Sequence, residues 1–201
     1  MDARLLAWAR AAAARPGPAR GLPRLWLFTD AQRMPDPRPS AMRLPRGLAG
    51  VVFRHDGAPD RAALGRDLAG ICRARRLVLV VAGDPRLAAA LGAGVHLRAG
   101  RWPAACARPF MREGRRMVTS SAHDPKELRL ARRAGARLAF LSPAFPTASH
   151  PDGAALGPIR WASLGRLAGL RVAALGGIDG DTIRRLPRQV CAAAGAITAL
   201  A

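Results

Sequence analysis

LSPAFPTASHP, from Leu141 to Pro151, followed by LGGID, from Leu175 to Asp179, decides how this chain is read. Each phrase sits just past a short apolar run, LAFL at Leu138 to Leu141 and VAAL at Val172 to Leu175. A run that is apolar on every residue suits a strand covered on both faces, and the polar, Gly- and Pro-rich phrase after it suits the loop that leaves it. Together the two phrases predict neighbouring strand ends with hydroxyls, an imidazole and bare glycine backbone, a setting fit for a phosphate group.

Working outward, runs of the same kind recur at Leu25 to Phe28, Gly50 to Phe53, Leu77 to Val81, Gly94 to Leu97, Met117 to Thr119 and Val190 to Ala193, which makes eight with the two above. Between them lie segments of helical composition: Asp60 to Arg75, Pro85 to Leu91, Pro125 to Ala134, Ile159 to Leu167 and Asp179 to Leu186. Pro59-Asp60, Asp84-Pro85 and Asp124-Pro125 set an acidic residue beside a proline where a first turn would begin. Buried strands alternating with helices imply a parallel sheet, and eight units in 201 residues predict an α/β fold, a compact (β/α)8 TIM barrel. The alternative, an open doubly wound sheet, would want GxGxxG after the first strand, where LFTDAQRMPDP stands instead. The sequence stops at Ala201, leaving no room for a full eighth helix, so either a helix at Asp2 to Ala14 or a subunit contact is expected to cover that side.

Length and a half-hydrophobic composition suit one domain over 1–201, with 1–20 as an N-terminal helix and linker broken at Pro16-Gly17-Pro18. The formal charge is +20, yet the cations are arginines scattered along the chain, with Lys126 the single lysine. With no Asn and no Tyr, this reads as GC-rich codon usage, the alternative being a basic face that would attract phosphorylated ligands. Nucleic acid is not an expected partner, because Trp8, Trp26, Trp102 and Trp161 fall in separate segments with no stacking pattern. Trp8, Trp26 and Trp161 are expected in packing; for Trp102, beside Arg101 at the rim, the border of a heterocycle is the alternative to packing. No run reaches the roughly 20 apolar residues of a membrane span, and Arg4, Arg10 and Arg15 interrupt anything like a signal peptide. Cys72, Cys106 and Cys191 lack CxxC spacing, which argues against disulfides and zinc and for a reducing cytoplasm.

In a barrel of this kind ligands bind at the C-terminal ends of the strands. All four histidines, His55, His96, His123 and His150, fall at or after a strand end. No HxH or HxxxH spacing is present, so no metal site is expected. Gly176-Gly177 after the seventh strand and Ala194-Gly195-Ala196 after the eighth offer backbone N–H groups to an anion, where plain tight turns are the alternative.

VVFRHD at 51–56, LGAGVHL at 91–97, SSAHDPKEL at 120–128, ARLAFLSPAFPTASHP at 136–151 and AALGGID at 173–179 occur in an order that resembles the thiamine phosphate synthase and TenI (thiazole tautomerase) superfamily over residues 24 to 200. The resemblance implies that a thiazole phosphate is held by Gly176, Gly177, Ala194 and Gly195. It places Arg54 where the synthases contact pyrophosphate, with Asp56 replacing a lysine. It puts Ala82-Gly83 and Arg101 where the synthases carry the Asn-Asp pair and the second aspartate, the two aspartates binding magnesium; Asp84 lies one residue late. Thr147-Ala148-Ser149-His150 keeps the hydroxyls of the family's TxTK phrase and exchanges its lysine for histidine. His123, near Ser120, stands where TenI carries its histidine. Losing the magnesium carboxylates removes assistance to a pyrophosphate leaving group, whereas a tautomerase asks only for an imidazole that gives and takes a proton. The expectation is therefore a metal-independent, cofactor-free TenI-like tautomerisation by His123, with Arg54, Arg101, Ser120, Thr147, Ser149, His150, Gly176, Gly177, Ala194 and Gly195 holding a small phosphorylated heterocycle. The alternatives are a divergent thiamine phosphate synthase, for which magnesium would be required, and a non-catalytic binder of phosphometabolites. A homo-oligomer is compatible with all three.

Overall fold

The computed structural model describes residues 1–15, 21–103, 116–147 and 154–201. Eight parallel strands close into a barrel in sequence order: β1 (Leu25–Phe28), β2 (Ala49–Phe53), β3 (Val78–Ala82), β4 (Gly94–Leu97), β5 (Val118–Ala122), β6 (Leu138–Leu141), β7 (Arg171–Ala174) and β8 (Cys191–Ala196). The ring is sealed by β8 against β1, with Leu25 opposite Ala194 and Leu27 opposite Ala196. Around it lie α1 (Ala3–Ala14), α2 (Arg38–Arg43), α3 (Arg61–Ala74), α4 (Pro85–Ala90), α5 (Pro125–Arg133) and α6 (Gly157–Leu167).

Side chains alternate across each strand. In β1, Trp26 and Phe28 enter the barrel while Leu25 and Leu27 join the layer under the helices. The lumen is filled by Trp26, Phe28, Val52, Val80, Leu138 and Phe140, so this is a packed core. Gly50 and Gly195 make room for it. A Cβ on Gly50 would stand 2.7 Å from the Trp26 ring, and one on Gly195 would stand 2.9 Å from Phe28. Trp8, Trp26 and Trp161 are all buried, as packing residues should be.

Asp84 and Asp124 cap α4 and α5 through the N–H groups of Leu87 and Glu127, each with proline in the first turn. Asp60 precedes α3 without making a capping bond. The helix expected over Asp179 to Leu186 is a single 3-10 turn, Ile183–Arg185. Its cause is local: the Asp179 carboxylate accepts the N–H groups of Asp181 and Thr182, which tightens the turn, and Pro187 follows. α1 covers the side left open. Its buried face, Leu5, Trp8 and Ala9, packs toward β8 and the 3-10 turn, and Arg4 pairs with Asp181 at 2.6 Å.

Candidate active site

A cavity of about 1280 Å³ opens at the C-terminal ends of the strands. Its wall contains Arg54, His123, Thr147, Gly176, Gly177 and Gly195 of the expected set. Ser149 and His150 lie outside the described residues, as does Cys106.

His123 is exposed on the rim just past β5. Its Nδ1 lies 2.9 Å from the carbonyl oxygen of Ser142, at the end of β6. A carbonyl only accepts, so Nδ1 carries the hydrogen and donates it, which fixes the neutral ring as the tautomer with a lone pair on Nε2. The His123 N–H is held in turn by Glu127 at 2.8 Å. Two backbone-level anchors thus orient an imidazole whose second nitrogen has no protein partner among the described residues.

Gly176 and Gly177 adopt φ of 87° and 62°. Cβ atoms there would lie 2.9 Å from Pro143 Cα and 2.5 Å from the Pro146 carbonyl oxygen, so only glycine lets the loop after β6 lie on the loop after β7. Phe145 donates its N–H to the Gly176 carbonyl at 3.0 Å, locking the two loops together. Arg185 was not anticipated from sequence. It lines the same wall with its guanidinium 5.1 Å above the Phe145 ring, and an arginine in a short turn far from any motif gives no sequence signal.

Three expected residues stand elsewhere. Ser120 points outward by the strand alternation: it is fully buried, accepts the Gly100 N–H at 2.8 Å, and has no share in the cavity wall. Ser121, its neighbour, faces the cavity instead. Ala194 also faces outward, and its N–H is engaged by the Arg24 carbonyl at 2.9 Å, because β8 runs on to Ala196 and the expected loop is strand. Arg101 lines a second, smaller hollow of about 360 Å³ with Arg61, Arg98 and Trp102. Trp102 is half-buried there, with its Nε1 donating to the Ala134 carbonyl.

Two histidines expected at strand ends are buried. His55 bonds Thr29 Oγ1 through Nδ1 at 3.0 Å and the Met34 carbonyl through Nε2 at 3.1 Å, a structural knot between β1 and β2. His96 lies under the cavity, Nδ1 2.9 Å from Thr119 Oγ1 and edge-on to Phe28. Burial, with the charges of Arg54 and Arg98, pushes its pKa down to about 3, so it stays neutral.

The β1 to β4 side of the rim is an ion-pair lattice. Arg54 donates Nε to the Thr29 carbonyl at 3.1 Å and approaches Asp30 at 3.4 Å. Burial would raise the Asp30 carboxyl, yet the N–H groups of Arg33 and Gln32 and the charge of Arg54 hold it below the usual range. Arg61 bridges Asp56 at 2.9 Å and Asp84 at 3.4 Å, while Arg98 takes the other oxygen of Asp56. The positions that the resemblance assigns to magnesium do not fit that ion. Ala82 and Gly83 bring no side-chain oxygen, Arg101 brings positive charge, and Asp84 is engaged in capping α4 and in pairing with Arg61. Among the described residues no three His, Cys, Asp or Glu side chains are grouped to hold a metal.

A family model described as thiamine monophosphate synthase matches residues 28–200. A thiamine-phosphate synthase of Methylococcus capsulatus is 37% identical over 139 residues, 66% of this chain and 61% of that protein. One from Geobacillus kaustophilus is 34% identical over 125 residues, 57% of this chain and 56% of its own. The chain therefore spans less than two thirds of the length of either relative. A solved structure of thiamine phosphate pyrophosphorylase from Pyrococcus furiosus shares the fold, with a TM-score of 0.72 at 22% identity, over 87% of this chain and 85% of that one. No helix among the described residues is long and apolar enough to cross a membrane.

Proposed function

The chain belongs to the thiamine monophosphate synthase family, and from that premise we propose that it binds a thiazole phosphate at the β5 to β8 side of its rim and tautomerises it without a metal ion. The observation that carries this reading is the tethered His123, whose Nδ1–H is committed to Ser142 and whose Nε2 is left with a lone pair beside the cavity. Tautomerisation removes a proton at one carbon and returns one at another, with no change in composition. A single imidazole at Nε2 serves both steps, as base in the first and as acid in the second. Gly176, Gly177 and the backbone after β8 hold the phosphate, and Thr147 and Ser121 border the ring. Phosphate at this end would also meet Arg185. The cavity accepts a small phosphorylated heterocycle with room to spare.

The test is to incubate the protein with the non-aromatic thiazole carboxylate phosphate in EDTA and follow aromatisation by ultraviolet absorbance. Turnover in EDTA that falls about 10²- to 10⁴-fold in His123→Ala, with thiazole phosphate binding retained, supports the reading. A variant as fast as the parent would end it. A second reading, condensation of a pyrimidine diphosphate with thiazole phosphate, draws support from the arginines of the β1 to β4 side and from the size of the cavity. Formation of thiamine phosphate from the two substrates would make that the activity.

A further inference from the structure

The β2 to β4 side of the rim is built in an unusual way. β4 ends in a turn from Arg98 to Arg101, closed by the Arg101 N–H on the Arg98 carbonyl at 3.0 Å. Ala99 in that turn has a φ of 51°, and Gly100 has 70°. A left-handed conformation at a residue other than glycine persists only where its surroundings enforce it. Here they do: Ser121 accepts the Ala99 N–H at 3.2 Å and Ser120 the Gly100 N–H at 2.8 Å, while a Cβ on Gly100 would stand 2.3 Å from the Ala131 nitrogen. The enforced turn presents Arg98 and Arg101 to one hollow.

The floor of that hollow is Arg61, only 18% exposed in its side chain, stretched between Asp56 and Asp84 and donating to the Ala82 carbonyl at 2.9 Å. Both oxygens of Asp56 are thereby occupied by guanidinium groups. With Asp30 set against Arg54, three arginines, Arg61, Arg98 and Arg101, face two carboxylates, Asp56 and Asp84, at this corner. The balance is positive without any added cation. The Arg98 side chain, 66% exposed, bonds Asp56 through one guanidinium nitrogen, and its exposure leaves further donors accessible to a ligand.

We propose that the Arg61–Asp56–Arg98 lattice, with Arg101 and Arg54 beside it, stands in for a divalent cation and forms a metal-free subsite for a diphosphate group. A guanidinium offers several donors in a plane and matches phosphoryl oxygens in pairs, which an aspartate pair does only through a bound metal. The carboxylates serve here to hold the cations in place. This subsite lies across the rim from His123 and the glycine pair and does not rest on the tautomerase reading.

The test is calorimetric titration of the full chain with inorganic diphosphate in EDTA, and again with magnesium. Binding in EDTA that magnesium does not strengthen, weakened tenfold or more in Arg98→Ala and partly restored in Arg98→Lys, is the expected result. Arg98 is exposed, so its truncation leaves the fold intact, and thermal melting of each variant confirms it. Arg166→Ala on α6 controls for general attraction to a basic protein. Binding that needs magnesium, no binding in either buffer, no loss in Arg98→Ala, or equal loss in Arg166→Ala would each overturn the proposal. So would a stoichiometric manganese(II) site detected by electron paramagnetic resonance on the free protein.

Discussion

The two halves of the rim solve the same electrostatic problem in opposite ways. From β1 to β4 the charges are many, fixed and mutually paired, with Arg54 on Asp30 and Arg61 and Arg98 on Asp56. From β5 to β8 the wall carries an imidazole, hydroxyls and the glycine pair, with Arg185 set on the Phe145 ring and the proton chemistry left to one nitrogen. The first half suits holding a multiply charged group still, because paired guanidinium groups lose little freedom on binding. The second suits moving a proton, because a tethered imidazole with one nitrogen left open can take a proton and give it back.

The sharpest test of that division is a crossed pair of variants. His123→Ala should reduce isomerisation by about 10²- to 10⁴-fold and leave diphosphate binding unchanged, whereas Arg98→Ala should weaken diphosphate and leave thiazole phosphate binding unchanged. If either variant lowered both, the halves would be one site. Next in size, Gly177→Ala forces a Cβ to 2.5 Å from the Pro146 carbonyl oxygen at a φ of 62°. It should cost about 2–4 kcal/mol, read as a lowered midpoint in urea, and should abolish thiazole phosphate binding in whatever protein still folds. Ser120→Ala removes the acceptor of the Gly100 N–H and should cost about 1–3 kcal/mol. Diphosphate binding should suffer with it through the Arg98 to Arg101 turn while thiazole phosphate binding holds, and the reverse pattern would return Ser120 to the substrate pocket.

The most gradual effect, spread over several pH units, concerns the floor the two halves share. His96 is neutral in the fold with its pKa at about 3, against 6.5 for a free histidine, so between those values the unfolded chain takes up a proton that the fold refuses. Stability from this group is therefore complete above pH 6.5 and is lost as pH falls toward 3, with a slope of at most about 1.4 kcal/mol per pH unit. In His96→Gln the urea midpoint should fall less steeply over that range. Equal slopes would mean that His96 is protonated in the fold and counted among the cations of the rim.

The barrel was legible because its evidence is repeated. Most strands are apolar on both faces, and β1, β4 and β6 carry the same bounds in sequence and structure. The glycine pair and His123 were legible because they follow strands directly. Ser120 and Ala194 were misplaced for one reason: composition locates a strand end to within a residue or two, while the direction of a side chain reverses at every residue. The reading stopped β5 at Thr119 and β8 at Ala193, whereas they run to Ala122 and Ala196. The arginine lattice was invisible for another. Asp56 follows β2, Arg61 opens α3 and Arg98 follows β4, and in a chain with so many arginines no single one stands out.

α1 is synthesised before every strand of the barrel and β8 is the last of the eight, yet they pack together. At about 5–20 residues per second, the span between them takes on the order of 10–40 s to make. Throughout that time Leu5, Trp8 and Ala9 lack β8 and the turn before it to pack against. The barrel thus closes on a schedule set by the ribosome, and the helix that seals it waits while all eight strands are made.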